Sequence, residues 1–403
     1  MKIIFLSTEL TPHQIPFCDC LHRLADQFCF IQYAHRKETW VSKGQQIQAK
    51  DYAYLRFYHR EKACCDELLF SADVVIVGGV DLSVVERRMR AGKLVFVYLE
   101  RFYKEGIKLK NLLRAVGGTW LHHGKYQKYR PYLLCASGYC AGDAAVFNNY
   151  KRRMLKWGYF PETKSWDVAD LFANKQKNTI IWAGRLLDWK HPDDMLQAAR
   201  RLKARGIPFD LKVYGDGPMK KDLERLVEQL DLADRVALCG NVSNETICRE
   251  MERASIFVAT SDYREGWGCV VNEAMNNGCA TVVSHAAGAA PFLINDGQNG
   301  LVYESGNVEE LTELCAELLG SAQLCRRLGE NAYKTLSVEW NAQTAAERLL
   351  AVSANILQAQ DRGFAESGPC SYAEPIKQKS MYARIKNDTC KQNGTGGNTA
   401  VSQ

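Results

Sequence analysis

Short runs of aliphatic and β-branched residues recur along the chain with amphipathic stretches between them. In the first half these runs are residues 3–6, 30–33, 74–77, 94–98 and 132–135. Each is apolar on both faces, as a strand covered from two sides must be, and the intervals leave room for crossover helices. The pattern predicts βαβ units on a parallel sheet. Residues 156–160 read as a last strand, and 161–178, polar and without a clear period, as a linker.

The second half repeats the alternation more regularly. Strands are predicted at 179–183, 209–214, 235–239, 256–259, 280–284 and 301–303, and amphipathic helices at 192–205, 219–230, 244–254 and 308–319. From 359 to 403 apolar residues become sparse and Gly, Ser, Asn, Thr, Gln and Lys take over, which reads as a disordered tail. No repeat of solenoid period is visible. The expected organisation is two α/β domains, 1–160 and 179–358, with a linker at 161–178 and a tail at 359–403.

Composition narrows the class. The chain has 403 residues, 46% of them hydrophobic and 24% charged, an ordinary balance for a folded globular protein. No window approaches 18 consecutive apolar residues, so a spanning helix is not expected, and the apolar start at 3–6 is broken by Ser7, Thr8 and Glu9 as a buried strand would be. Fifteen cysteines, an odd number without paired CxxC spacing, read as reduced thiols used as small core residues, which implies a cytoplasmic location. The net charge of +6 divides unevenly, +11 over residues 1–160 and −5 over the remainder. A basic first half suits nucleic acid, anionic lipid or a phosphorylated substrate. Nucleic acid is the poorer reading because no helix-turn-helix, zinc or RNA-binding signature accompanies the charge.

In open α/β sheets ligands bind beyond the carboxyl ends of the strands, so the loops there carry the candidate chemistry. After 179–183 come Gly184, Arg185 and Lys190, close backbone approach plus two cations suited to a diphosphate. After 209–214 come Gly215, Asp216, Gly217 and Pro218, but Lys220 stands where a dinucleotide fingerprint needs its third glycine, so a nicotinamide cofactor is not supported. The stretch SDYREGWGCVVNEAMNNG, 261–278, places Glu265 in a glycine-bounded loop with Gly266, Trp267 and Gly268, ahead of a predicted helix at 269–276. A helix N-terminus beside glycines holds anions, and Glu273, one turn in, can accept hydrogen bonds from a ribose diol.

Glu265 and Glu273 resemble the E-x7-E motif of retaining GT-B glycosyltransferases of family 4. The likeness spans about 179–357 and includes Gly184, Arg185 and Lys190, the GDGP turn and GAAPFLINDGQNGLVY at 288–303. More loosely, LERFYKEG (99–106) and KWGYFPE (156–162) resemble acceptor domains of bacterial surface-polysaccharide members. The resemblance implies two Rossmann-like doubly wound domains facing a cleft. It also implies a nucleotide diphosphate sugar, UDP-linked, and a saccharide or lipid-linked saccharide acceptor, as in capsule synthesis. Arg185 and Lys190 would hold the diphosphate and steady the leaving charge, Glu265 the donor sugar, Glu273 the ribose, and the backbone at Asn241 and Val242 the base. No metal or other cofactor is expected, since Arg and Lys would take the cation's place.

The first half departs from the family pattern. Many members carry a glycine pair after the first strand and a histidine after a later one; here the first loop reads STELTPHQIPF, and 94–98 is followed by Leu99, Glu100 and Arg101. His13, Glu100 and Arg101 are the candidates for sugar or acceptor contacts on that side. The basic, aromatic stretch 101–130 combines eight Lys or Arg with Phe102, Tyr103, Trp120, Tyr126 and Tyr129, residue types that suit peripheral contact with a membrane surface. Two rival readings remain: a nucleotide-sugar epimerase and a catalytically silent nucleotide-sugar-binding subunit.

Overall fold

The computed structural model describes residues 1–35, 39–42, 45–104, 106, 112–359 and 364–394. The chain forms two compact units. One comprises Met1–Glu162 with Glu339–Lys377, the other Thr163–Val338 with the stretch from Gln378 onward.

The first unit is built on seven strands: β1 (Lys2–Ser7), β2 (Gln27–Gln32), β5 (Leu55–Phe57), β6 (Val74–Gly78), β7 (Leu94–Leu99), β8 (Tyr132–Cys135) and β9 (Met154–Lys156), with β3 (Thr39–Ser42) and β4 (Gln45–Gln48) forming a separate antiparallel hairpin. The order is β5-β2-β1-β6-β7-β8-β9, parallel throughout. Ile4 lies between Cys29 and Val75, and Ile3, Ile31, Val75 and Phe96 are fully or almost fully enclosed. Such strands bury both faces, which is why they read as unbroken apolar runs. The sheet ends earlier than expected: β9 stops at Lys156, and Trp157 and Phe160 turn into the core against Phe17.

The second unit carries β10 (Gln176–Ala183), β11 (Asp210–Tyr214), β12 (Val236–Gly240), β13 (Ala254–Ala259), β14 (Ala280–Ser284) and β15 (Leu301–Tyr303). Their order, β12-β11-β10-β13-β14-β15, is the doubly wound arrangement, and all pairs are parallel. Ile180, Trp182, Val213, Ile256, Val258 and Val282 form its core with helix residues Met195, Leu196 and Leu202. Direction of winding reverses between β10 and β13. Ligands of such sheets sit at that reversal, on the carboxyl side.

Two expectations are corrected. Residues 161–178 are not a free linker: Val168–Ala173 is a helix capped by the Asp167 carboxylate, Leu171 is buried, and the Lys175 ammonium donates to the carbonyls of Met251, Ala254 and Asn277 before β10 begins at Gln176. The segment hid because one short surface helix needs few apolar residues. Nor is 359–403 a disordered tail over its described part. The helix Ala342–Leu357 returns to the first unit, where Arg23 donates to Gln343, and residues 370–373 pair with the backbone of β9 at its open edge. Edge pairing uses main-chain groups, which composition does not reveal. Beyond it, the helix Met381–Gly394 buries Met381 and Ile385 in the second unit. The described cysteines are free thiols, most of them buried. Among the described residues no helix is long and apolar enough to cross a membrane.

Candidate functional site

The loops leaving β10, β11 and β13 are laced together by their main chains. The Gly184 N–H donates to the Tyr214 carbonyl at 3.0 Å, and the Leu186 N–H to that of Asp216 at 2.9 Å. Gly215 has φ +139°, and a Cβ there would lie 1.8 Å from the Gly184 carbonyl oxygen, so only glycine lets the two loops approach this closely. Across the reversal, the Asp262 N–H donates to the Trp189 carbonyl at 2.9 Å, and the Thr260 hydroxyl to that of Lys190 at 2.6 Å. Arg264 completes the tie by donating to both Asp188 and Asp262.

This lacing brings Lys190 against Glu265. The ammonium donates to the Glu265 carboxylate, which also accepts from the Ser261 hydroxyl at 3.0 Å. Both side chains are mostly shielded, and the Lys190 ammonium lies 4.8 Å from the Trp189 ring centroid. A carboxylate and an ammonium of this kind can exchange partners when a ligand supplies a hydroxyl and a phosphate. Arg185, on the Lys190 loop, is exposed, and its guanidinium makes no ion pair among the described residues.

Gly268, at φ +93°, caps the helix Cys269–Asn276 without a side chain of its own, and a Cβ there would lie 3.4 Å from Glu265 Cγ, so the start of that helix sits beside Glu265. Glu273 lies one turn in. Its carboxylate accepts from the Asn244 amide at 3.1 Å, and burial without a compensating cation pushes it up to about 7. Asn241 is exposed and Val242 half-buried in the loop after β12, directly ahead of Asn244.

Not every expected side chain faces a ligand site. The Trp267 indole is enclosed and donates to Asn272 at 2.8 Å, so what this residue offers near Gly266 and Gly268 is main chain. Its carbonyl accepts from the Ala289 N–H, which anchors the loop. Arg101 is corrected likewise: its guanidinium is spent on Asp143 at 2.9 and 3.0 Å inside the first unit, and lies 5.1 Å from the Tyr139 ring centroid. His13 stacks on Tyr159 at 5.6 Å, and the Tyr159 hydroxyl donates to Glu100, which also pairs with Lys104. These two expected residues of the first unit therefore meet through a tyrosine.

Sequence reasoning missed Ser261, Thr260 and Asn244, whose roles depend on contacts between loops. It also passed over Tyr263, which hydrogen-bonds His285 at 2.6 Å. The Ser305 N–H donates to His285 Nδ1, so the neutral ring carries its proton on Nε2 and donates it to the Tyr263 oxygen. His191, Asp193 and Asp194 bring ligand atoms within 4.8 Å of one another beside this loop.

Two parallel-sheet α/β units of Rossmann-like build give the fold of GT-B glycosyltransferase structures. Residues 166–335 match the family of glycosyl transferases group 1. Among solved structures, Anabaena Alr3699/HepE in complex with UDP is similar at a TM-score of 0.65 and 18% identity, covering 89% of this chain and all of that one. The lipopolysaccharide outer core galactosyltransferase WaaB is similar at 0.63 and 14%, with the same coverage. Among curated proteins, the alpha-D-kanosaminyltransferase of Streptomyces kanamyceticus is 27% identical over 191 residues, 47% of this chain and 49% of that protein. A GDP-mannose-dependent monoacylated phosphatidylinositol monomannoside mannosyltransferase of Corynebacterium glutamicum is 28% identical over 208 residues, 50% and 52% of the two chains. The chain spans about half or less of the length of the curated relatives it matches.

Proposed function

We propose that the protein is a retaining glycosyltransferase that moves a hexose-type sugar from a nucleotide diphosphate donor, UDP-linked, to a saccharide acceptor in surface polysaccharide synthesis. The observation that carries this reading is the Lys190–Glu265 pair, held at the winding reversal beside the start of the helix Cys269–Asn276. Lys190 and Arg185 hold the diphosphate and stabilise the charge that grows on it as the glycosidic bond breaks. Glu265 accepts from the donor sugar hydroxyls, Glu273 from the ribose, and the backbone at Asn241 and Val242 meets the base. With two cations and helix N–H groups on the phosphates, the reaction proceeds without a divalent metal. Support for the donor comes from the UDP bound to the similar Anabaena protein, and support for a glycan or glycolipid acceptor from the names of WaaB and the mannosyltransferase.

The acceptor side is proposed to meet an anionic lipid surface through the helix Leu112–His122. Thr119 is buried, while Val116, Trp120 and Leu121 are exposed at 40%, 62% and 48%. Lys125 and Lys128 lie in the turn Gly124–Tyr129 that follows this helix, so two cations come directly after its apolar residues. Apolar side chains entering the head-group layer next to lysines facing anionic lipid is the usual interfacial pairing.

The deciding experiment incubates the purified protein with UDP-sugars and an oligosaccharide acceptor panel and analyses the products. A glycosylated acceptor with the donor's anomeric configuration is expected. An epimerised nucleotide sugar with no acceptor consumed, or donor binding with neither transfer nor hydrolysis, rejects the assignment.

A further inference from the structure

We propose that Asn244 is a positioning residue for Glu273, holding one carboxylate oxygen so that the other is left for the ligand diol and coupling the loop after β12 to the helix Cys269–Asn276. This rests on the reading of Glu273 as the ribose contact. Asn244 is the first residue of the helix Asn244–Arg253, where an asparagine side chain would ordinarily bond to nearby main chain or be solvated. Neither happens here. Ser243 caps the helix, its hydroxyl accepting from the Thr246 N–H at 3.1 Å. The Asn244 side chain instead crosses to Glu273, its Nδ2 donating to Oε1 at 3.1 Å.

The orientation of the amide follows from its partners. A carboxylate only accepts, so the nitrogen faces Glu273, and the Cys248 thiol, one turn on, donates to the Asn244 oxygen at 3.6 Å. Both ends of the amide are thereby fixed. No charged side chain acts on Glu273 among the described residues, and Cys248 is the titratable group that faces it, its thiol kept neutral by burial. The ionised form of Glu273, the form that accepts from a diol, therefore depends on the Asn244 donor. Because Asn244 follows Asn241 and Val242 by three and two residues, a base seated on that loop and a ribose held by Glu273 are fixed relative to each other by one amide.

The test is UDP binding by calorimetry from pH 5.5 to 9 for the wild type, Asn244→Ala, Asn244→Asp and Glu273→Gln. Wild-type affinity is expected to fall as the pH drops through about 7, where Glu273 takes up its proton. Asn244→Ala should bind about fivefold more weakly at pH 7 and move that fall upward by about one pH unit, since a hydrogen bond to a charged acceptor favours the charged form. At pH 9 the two should converge. The isosteric Asn244→Asp, which places a like charge beside Glu273, should move it further in the same direction, and it reads the effect even if the alanine variant folds poorly. Glu273→Gln should bind weakly with no such pH dependence. Undiminished binding by Glu273→Gln overturns the ribose reading and this inference with it. Weak binding by Glu273→Gln together with an unmoved midpoint in both Asn244 variants overturns the positioning role alone.

Discussion

Lys190 and Glu265 neutralise each other at the reversal of the second sheet, with 13% and 11% of their side chains exposed. In the unliganded protein each is the other's counter-ion. Bound donor would give the lysine a phosphate and the glutamate a sugar hydroxyl, so the pair holds both groups in place until then. Glu265→Gln and Lys190→Ala are each expected to lower turnover at least about a hundredfold. Each should also cost about 1–3 kcal/mol in stability, because the surviving partner keeps its desolvation and loses its bond. UDP should recover part of that loss in Glu265→Gln, where a phosphate can replace the carboxylate, as measured by thermal melting with and without nucleotide.

Glu273 has the opposite stability signature. Its folded-state value near 7 lies above the ordinary 4.5, so the folded chain holds a proton that the unfolded chain has released, and stability falls as pH rises from about 4.5 to 7. Glu273→Gln removes that penalty. It is expected to melt higher than the wild type at pH 8, by up to about 3 kcal/mol, and alike at pH 4.5. Equal melting at both values would refute the raised value of the Glu273 carboxyl.

The C-terminal helix is a structural part of the second unit. Tyr382 donates to Glu310 at 2.5 Å, Lys386 pairs with Asp296 at 3.1 Å and donates to the Val302 carbonyl on the outermost strand, and the Tyr382 ring lies 5.2 Å from that of His285. Truncation after Lys377 should expose Met381's pocket and the β15 edge and lower stability by about 2–4 kcal/mol, from two buried side chains. Ile385→Asp should lose a comparable amount, read by urea unfolding.

On the helix Leu112–His122, Trp120→Glu with Leu121→Glu is expected to abolish sedimentation with vesicles containing anionic lipid while leaving the melting temperature and transfer to a soluble acceptor unchanged. Raising salt should weaken the wild-type interaction through Lys125 and Lys128.

Chelation by EDTA should leave transfer unaffected. If it abolishes activity and Mg²⁺ or Mn²⁺ restores it, His191, Asp193 and Asp194 are the groups to substitute first.

The central strands were legible because burial on both faces writes itself as unbroken apolar runs, as at residues 74–77 and 256–259. Glu265 and Lys190 stood out because loops after strands confine the search. Partnership was not legible. Nothing local says that Asn244 would cross to Glu273 instead of capping its own helix, or that Arg101 would turn inward to Asp143 while Glu100, its neighbour, meets Tyr159. Such choices depend on residues 29 to 59 positions away. The stretches 161–178 and 370–373 escaped for another reason: they are held in part by main-chain carbonyls and a sheet edge, which carry no residue signature.

Both units are discontinuous in sequence, the first closing only with Glu339–Lys377 and the second resuming at Gln378. During synthesis, β9 must wait for some two hundred residues, and the helix Ile15–Leu24 for some three hundred, before their final neighbours emerge from the ribosome. An apolar edge left open for that interval invites chaperone capture, and cutting the gene at the middle would strand both halves without their closing pieces.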